Sequence, residues 1–268
     1  LSRLLLPAIL AGLMASTSAL ADAGTVTEVP TMQAHLTLDG VPDEPFWEQA
    51  AKVELAFETQ PADNAAASVK TTAYIVDNGH AILLAFRAED PDPSKIRAFL
   101  RDRDSLWQDD FLGFTIDTFN DQRRAFEFYV NPLGAQGDLI IEDASGNEDD
   151  SWDGLWESAG KINDHGYTVE MRIPYSTLRF QKTSGPQTWG VDFLRFYPRD
   201  NRYRLSNNKL IRGESCYLCG LSKLHGFANA SPGRDLEVTP TFTARFGQHR
   251  DPGQDWQGDG GEYELGLD

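Results

Sequence analysis

The sequence predicts an all-β protein, a two-sheet antiparallel β-sandwich of jelly-roll type with one short helix near the N-terminus. Two observations support this fold class. Runs rich in β-branched and aromatic residues recur between turn residues at short, regular intervals, and few segments are long enough to form a crossover helix. The chain of 268 residues is long enough to bury a sizeable core, as one large β domain or two smaller ones.

The first residues have the composition of a secretory signal peptide. Arg3 supplies a positive n-region, Leu4 to Leu13 form an apolar stretch, and Ala19 and Ala21 provide a small-x-small cleavage site. The apolar stretch is too short for a comfortable membrane span, and the alternative is a buried core helix. We therefore expect residues 1–21 to be removed and the protein to be exported, to the periplasm or the cell outer membrane.

The elements after the signal peptide alternate between strands and turns. Residues 34–40 predict a strand ending in a turn, and a short helix follows in which Asp43 caps the N-terminus, Pro45 lies in the first turn and Trp47 lies on the apolar face. Asn78-Gly79 separates two β-rich runs and is a strong hairpin signal. The later predicted strands are "DFLGFTIDTF", "AFEFYVNP", "DLIIED", "GLWESAGKIN", "GYTVEMRIP" and "TWGVDFLRFYPR", which bring the total to about nine.

The C-terminal tail differs from the rest of the chain. In "DLEVTPTFTARFG" apolar and polar residues alternate over about ten positions, and "EYELGLD" alternates again after a Gly-rich turn. Such alternation is a weak signature of a membrane barrel strand. The alternative is one more hairpin of the sandwich. Because the chain stops within a predicted strand, we expect that more of the protein once followed.

The charge of the chain excludes one class of partner. The sequence has 24 Lys and Arg against 41 Asp and Glu, a formal net charge of -17. Nucleic-acid binding requires a basic surface, so we expect no nucleic acid as a partner. An acidic surface suits an exported protein and, locally, the binding of cations.

The two cysteines, Cys216 and Cys219, lie three residues apart in "ESCYLCG". In the oxidising compartment that export implies, a local disulfide is favoured. A thioredoxin-like motif would need a βαβ context, and a haem attachment site would need histidine where Gly220 stands. A zinc site would need two more ligands.

Several segments resemble carbohydrate-binding module family 9 in their order along the chain: "LDGVPDEPFWEQA", "DDFLGFTIDTFND", "FEFYVNPLGAQGD", "WDGLWES", "GYTVEMRIPYSTLRF" and "WGVDFLRFYPR". "LRDRD", "DTFND", "NPLGAQGD" and "IPYSTLRF" resemble the version found at the N-terminus of large bacterial outer-membrane proteins, where a β-barrel of unknown function follows. The resemblance covers roughly residues 34–225. It implies a β-sandwich, non-catalytic sugar binding and, in several members, bound calcium. We therefore expect the sandwich at residues 25–228, and a linker with the first strands of a truncated outer-membrane barrel at residues 229–268.

Strand alternation identifies candidate ligand-binding residues. Leu112, Phe114 and Ile116 share one face and are expected in the core, which leaves Asp117 on the other face. If the next predicted strand pairs with this one, its polar side chains lie beside Asp117 on one surface. The alternative is a solvated sheet face.

The resemblance assigns Trp107 the place of a tryptophan that stacks on a sugar ring. The family has an acidic residue at the position of Gly113, and a second stacking tryptophan has no clear match, so we consider Tyr203, Tyr217 or Trp156 for its role. Arg124 is a further candidate hydrogen-bond partner. The predicted ligand-binding residues are Trp107, Asp117, Arg124, Glu127, Tyr129, Asn131, Trp156 and Tyr203.

Two acidic stretches are candidates for calcium binding, because calcium takes six to eight oxygen ligands from loops. "AEDPDPS" contains Asp90 and Asp92, and "RDRDS" contains Asp102 and Asp104. Neither has the spacing of an EF-hand, so a site would have to join the two loops. In the alternative, Arg101 and Arg103 neutralise the carboxylates without a metal.

An enzyme is the least favoured class. A glycoside hydrolase needs two carboxyl groups, one of them with a raised pKa, and Asp109, Asp110 and Asp117 are the candidates. The stretch predicts no apolar pocket to keep one of them protonated, and no Ser-His-Asp set stands out. We expect non-catalytic binding of a carbohydrate. The alternative of another class is a structural module that docks on the barrel or plugs it.

Overall fold

The computed structural model describes residues 25–233 and 240–267, and it confirms the predicted all-β sandwich. In chain order the strands are β1 (Val26–Glu28), β2 (Ala51–Glu54), β3 (Phe57–Gln60), β4 (Ala65–Ala66), β5 (Thr71–Asp77), β6 (Ala81–Glu89), β7 (Phe111–Asp117), β8 (Arg124–Val130), β9 (Gln136–Glu142), β10 (Asn147–Asp149), β11 (Glu157–Asn163), β12 (Gly166–Pro174), β13 (Gln187–Pro198), β14 (Arg202–Ser206), β15 (Ser222–Gly226), β16 (Pro240–His249) and β17 (Gln257–Leu267). Short 3₁₀ helices lie at Pro45–Gln49, Pro93–Lys95, Tyr175–Thr177 and Leu218–Gly220.

The sandwich has a larger and a smaller sheet. The ten-stranded sheet runs β10-β9-β8-β7-β13-β14-β3-β4, with β15 beside the first half of β13 and β1 beside β15. The five-stranded sheet runs β11-β12-β6-β5-β2. All strand pairs are antiparallel except β1 with β15, which is parallel. Several short edge strands, such as β4 and β10, were not predicted because two or three residues carry no periodicity.

The core lies between the two sheets and is rich in aromatic residues. Leu112, Phe114 and Ile116 point into it, as the alternation of β7 predicts. Phe114 stacks on Phe128 of the neighbouring strand, with ring centroids 5.2 Å apart. Phe86 of the smaller sheet meets the larger sheet across this layer. Each large side chain buried in this way stabilises the fold by about 1.5–3 kcal/mol.

The predicted N-terminal strand and helix are only partly correct. Residues 34–40 form no strand, because the backbone N–H groups of Asp39 and Gly40 bond to the carboxylate of Glu170 instead of to a neighbouring strand. The helix is the 3₁₀ turn Pro45–Gln49. Its N-cap residue is Glu44 and not Asp43, and a Glu44 carboxylate oxygen accepts a bond of 3.0 Å from Trp47 Nε1.

The tail forms a hairpin that is a sheet of its own. β16 and β17 pair with each other from Pro240 opposite Leu267 to His249 opposite Gln257. The predicted signal peptide and the residues Leu236 and Val238 of the predicted tail strand lie outside the described residues. Within the residues that the structure describes, no helix is long and apolar enough to cross a membrane.

Candidate ligand-binding groove

A groove of about 450 Å³ lies on the outer face of the larger sheet, where β7, β8 and β13 run side by side. Alternation along each strand decides which side chains can reach it, because only residues that do not face the core lie on the outer face. The groove is lined by Gln60, Trp107, Phe111, Glu127, Tyr129, Leu139, Glu148, Asp150, Phe196 and Arg202.

An aromatic cluster forms the apolar part of the groove. Phe111, Tyr129 and Phe196 project outward from three adjacent strands, and Phe111 stacks on Phe196 with centroids 4.5 Å apart. Trp107, from the segment before β7, meets the edges of Phe111 and Tyr129 at 5.7 Å each. Its ring is half-buried, so part of it faces solvent. The cluster is suited to contact with the apolar face of a ring-shaped ligand.

Gly137 on β9 creates the space in which Trp107 lies. A Cβ atom at this position would lie 3.1 Å from Cη2 of Trp107 and 2.7 Å from Cδ2 of Leu106. Leu106 is fully buried and anchors the segment that carries the tryptophan. Trp107 can therefore lie at this position only because residue 137 has no side chain.

Glu127 is the buried carboxylate of the groove. Its oxygens accept hydrogen bonds from Thr115 Oγ1 at 2.7 Å and from the hydroxyl of Tyr129 at 2.9 Å. Burial raises the pKa of Glu127, and the charge of Glu148 adds to this increase. Glu148 and Asp150 are exposed at the β10 side of the groove.

Arg202 lies at the other side of the groove, on β14. Its guanidinium lies 4.9 Å from the ring centroid of Phe196 and 5.6 Å from that of Phe111. Burial lowers the pKa of Arg202. Among the described residues it has no ion pair, so its donors are free to bind a ligand.

A polar network under the loop 207–221 borders the groove. The hydroxyl of Tyr217 donates to Asp192 Oδ2 at 2.7 Å and accepts from Arg204 at 3.1 Å. Arg204 also bonds to Asp192 at 3.1 Å, and Thr115 links the network to Glu127. This network joins residues far apart in sequence, so no local pattern could have identified it.

A disulfide between Cys216 and Cys219 is present in this loop, with Cα atoms 5.4 Å apart. The two cysteines stand on either side of Tyr217 in the chain. The hydroxyl group of Tyr217 is buried in the network, and its ring is half-buried. Tyr217 therefore lies under the loop rather than beside Trp107 in the groove.

Three of the eight predicted ligand-binding residues line the groove: Trp107, Glu127 and Tyr129. Asp117 is on the predicted face but at the far end of β7, where it is buried and accepts a bond of 2.8 Å from the backbone N–H of Gln122. Asn131 is also buried. It holds the β8–β9 turn by accepting from the backbone of Leu133 and Ala135.

The other three predicted residues lie elsewhere. Arg124 is exposed and forms an ion pair with Glu142. Trp156 is buried in the core, edge-on to Phe128 at 5.5 Å, and Tyr203 lies on the inner side near Tyr197. Seven residues of the groove were not among the predicted ones: Gln60, Phe111, Leu139, Glu148, Asp150, Phe196 and Arg202. The outward positions of Phe111, Phe196 and Arg202 on β7, β13 and β14 could have indicated these three, had the order of the strands been known.

The four aspartates considered for calcium do not come together. Asp90 is buried against Arg199, Asp92 bonds to Ser94 beside Lys95, and Asp102 lies in an open depression. Within the described residues, Asp104 is the only one of the four that belongs to a cluster of three or more acidic groups.

Asp104 lies close to Asp138 and Asp153, with one oxygen of each within 4.8 Å of the others. A guanidinium occupies this cluster, because Nε of Arg103 lies 2.6 Å from Asp138 and 2.9 Å from Asp153. Asp138 also accepts from the backbone N–H of Gly154 at 2.6 Å. A calcium ion needs six to eight oxygens and no cationic neighbour, so the cluster does not fit calcium.

Gly113 is where the family resemblance expects an acidic side chain. A Cβ atom here would lie 1.9 Å from the carbonyl oxygen of Phe128 and 2.8 Å from Cδ1 of Tyr129. The ring of Tyr129 occupies the space, so the groove has no place for a side chain at residue 113.

Comparisons with known proteins agree with this architecture. Residues 38–208 match the family described as carbohydrate family 9 binding domain-like. A candidate carbohydrate-binding protein from Bacteroides uniformis has a TM-score of 0.60 at 15% identity, covering 75% of this chain and 99% of that chain. A carbohydrate-binding module family 9 from Caldicellulosiruptor kristjanssonii in complex with glucose has a TM-score of 0.50 at 12% identity, covering 79% and 97%. No curated protein sequence matches the chain.

Proposed function

This chain belongs to the carbohydrate family 9 binding domain-like family, and from that premise we propose that it binds carbohydrate in the groove around Trp107. Domains of this family are non-catalytic binding modules. The groove accordingly holds a ligand without cleaving it.

The half-buried Trp107 at the open end of an aromatic cluster is the observation that carries the proposal. A pyranose ring has an apolar face of C–H groups that stacks on such a surface, and its hydroxyls require polar partners. Arg202 supplies donors, and Glu148 and Asp150 supply acceptors. The glucose bound in the Caldicellulosiruptor kristjanssonii module is consistent with a sugar as ligand.

The competing reading is a structural module that docks on another domain and binds no sugar. It requires Trp107 to be packed beneath a loop. Part of the Trp107 ring is instead exposed beside a polar concavity, which favours ligand binding.

The test is a glycan array followed by calorimetry with the wild type and Trp107→Ala. We expect the variant to lose about five- to tenfold in affinity, because stacking on an aromatic ring contributes about 1–1.5 kcal/mol. Trp256→Ala is the matched control, since Trp256 is 64% exposed between β16 and β17 and does not line the groove. Chelation of calcium should change nothing, because Arg103 occupies the acidic cluster. No binding to mono-, oligo- or polysaccharides would contradict the proposal.

We further propose that the protein is exported to the periplasm and that its hairpin β16–β17 is the start of an outer-membrane barrel. One face of the hairpin carries exposed apolar side chains: Phe242, Phe246, Tyr263, Leu265 and Leu267. The opposite face carries Thr243, Arg245, Glu262 and Glu264. This division suits a strand pair with one side against lipid and the other against water.

The membrane proposal is tested by expression in a Gram-negative bacterium and fractionation of the envelope. The full-length gene product, whose further strands would close the barrel, should enter the outer-membrane fraction, and Phe242→Asp should lower the amount that does. Thr243→Asp, on the polar face, should not. A wild type that stays in the cytoplasm would refute the export proposal, and equal behaviour of the two variants would refute the role of the apolar face.

A further inference from the structure

We infer that the ligand of the groove is an amino sugar, a pyranose that carries a protonated amine. The inference rests on the proposed function and narrows it. It follows from the charges that line the groove, which contains three carboxylates and a single guanidinium.

The carboxylates of the groove have no ion-pair partner among the described residues. Near the groove, Asp109 is paired with Arg101, Asp138 with Arg103, and Glu142 with Arg124. In the part of the chain that the structure describes, Glu148 and Asp150 form no ion pair. The two exposed carboxylates of the groove are therefore available to a cationic ligand.

Glu127 is the third carboxylate, and its partners are neutral. It accepts hydrogen bonds from the hydroxyls of Thr115 and Tyr129, and the charges of Glu148 and Arg204 act on it in opposite directions. Three acidic groups that line one groove favour a cationic ligand. An ammonium group on a sugar would satisfy this preference in the same place as the stacking surface.

The single guanidinium is at the opposite side from the exposed carboxylates. Arg202 is on β14, Glu148 is on β10, and the strands β9, β8, β7 and β13 lie between them. The guanidinium of Arg202 lies over the ring of Phe196, where its N–H groups can donate to the hydroxyl groups of a sugar. An oligosaccharide in the groove is thus oriented with an amine-bearing ring toward β10, the apolar face of a ring on Trp107 and the hydroxyls of a further ring toward Arg202.

The position of Asp149 provides a control within the same short strand. Glu148 on β10 and Asp150, directly after β10, line the groove, whereas Asp149 between them does not line it and accepts a hydrogen bond from Ser151. A neutralising substitution at Asp149 changes the net charge of the protein without changing the groove.

The experiment compares three trisaccharides by calorimetry: β-1,4-linked glucosamine, its N-acetylated form, and cellotriose. The first and the last differ only in the ammonium or hydroxyl group at C2. We expect the glucosamine trisaccharide to bind at least about tenfold more tightly than cellotriose at low salt, and this preference to shrink as the salt concentration rises.

The double variant Glu148→Gln, Asp150→Asn should bind the glucosamine trisaccharide about five- to tenfold more weakly, which is the size of effect expected from two exposed ion pairs. Its affinity for cellotriose should not change, and Asp149→Asn should behave as the wild type. Both carboxylates are exposed, so the variants should fold. The salt dependence of the wild type provides a test that needs no variant.

The outcomes separate this inference from the proposed function. Equal affinity for the glucosamine trisaccharide and cellotriose, or tighter binding of cellotriose, overturns the amino-sugar inference and leaves carbohydrate binding intact. An equal loss in the double variant and in Asp149→Asn also overturns it. Binding of none of the three trisaccharides, together with a silent glycan array, overturns both.

Discussion

At the scale of single residues, Gly113 decides how the groove is built. The absent side chain allows the carbonyl of Phe128 and the ring of Tyr129 to approach β7 closely. Tyr129 then reaches Glu127 and the edge of Trp107. The groove uses this tyrosine where the family resemblance expects a carboxylate at residue 113.

We expect Gly113→Ala to lower the free energy of unfolding by about 2–3 kcal/mol, because a Cβ atom 1.9 Å from a backbone oxygen forces the two strands apart. Denaturant unfolding measures the effect. Gly220→Ala is the control, since the nearest atom to its Cβ would be 3.9 Å away. Equal stability of the two variants would contradict the role given to Gly113.

Glu170 is a second residue of interest, because its buried environment raises its pKa. Its side chain is fully buried, and its Oε2 accepts from the backbone of Gly40 at 3.0 Å. Burial, followed by the charge of Glu44, raises the pKa of Glu170 to about 7. The folded state therefore binds a proton more tightly than the unfolded state, whose glutamate has an ordinary pKa near 4.5.

The contribution of Glu170 to stability should accordingly be greatest below about pH 4.5 and should fall as the pH rises toward 7. Glu170→Gln removes this dependence, so its stability relative to the wild type should increase by up to about 3 kcal/mol between pH 4 and pH 8. Thermal unfolding across this range is the measurement. Glu48→Gln, on an exposed neighbour, should leave the dependence unchanged, and a parallel shift of both variants would argue against this role of Glu170.

At the scale of elements, the loop 207–221 connects β14 to β15 and covers the polar network that borders the groove. The disulfide closes a very short loop, so its direct entropic effect is small, whereas Tyr217 between the cysteines contacts Asp192, Arg204 and Thr115. The loop therefore depends more on this buried network than on the covalent link.

Replacing both cysteines by serine should lower the free energy of unfolding by about 2 kcal/mol or less. Denaturant unfolding tests this, with Tyr217→Phe as the comparison. Because Tyr217→Phe removes the hydroxyl that joins Asp192 and Arg204, it should cost at least as much. Two alkylated thiols in the wild type under non-reducing conditions would show that the bridge does not form.

At the scale of the whole molecule, the sandwich is complete without the hairpin. β16 and β17 pair only with each other, whereas β15 pairs with both β1 and β13. A two-stranded hairpin alone adds little stability in water.

A chain that ends at residue 233 should therefore unfold within about 3 °C of the longer chain, since it keeps every strand of the sandwich. A chain that ends before β15 should fail to fold, because it loses the pairing of β15 with β13 and leaves β1 without a partner strand. Thermal unfolding distinguishes the two truncations. A large loss of stability in the first would mean that the tail contributes to the core.

Parts of the fold and of the groove follow from local patterns. The alternation of β7 and β8 places Phe114 and Phe128 in the core and Glu127 and Tyr129 on the outer face. Alternation also placed Asp117 on the outer face, but it does not say which end of the strand lies in the groove. Trp156 was considered for the ligand site because a tryptophan pattern alone does not distinguish a core residue from a binding residue.

The sequence by itself determined the fold class, the core faces of the main strands and the prominence of Trp107, because each depends on residues close together in the chain. Only the tertiary structure decided that Phe111, Phe196 and Arg202 line the groove, that Arg103 occupies the acidic cluster, and that Glu148 and Asp150 form no ion pair with any described residue. These facts depend on the order of strands in the larger sheet. That order joins β7 to β13 and β13 to β14 across long intervals of sequence, which no local periodicity encodes.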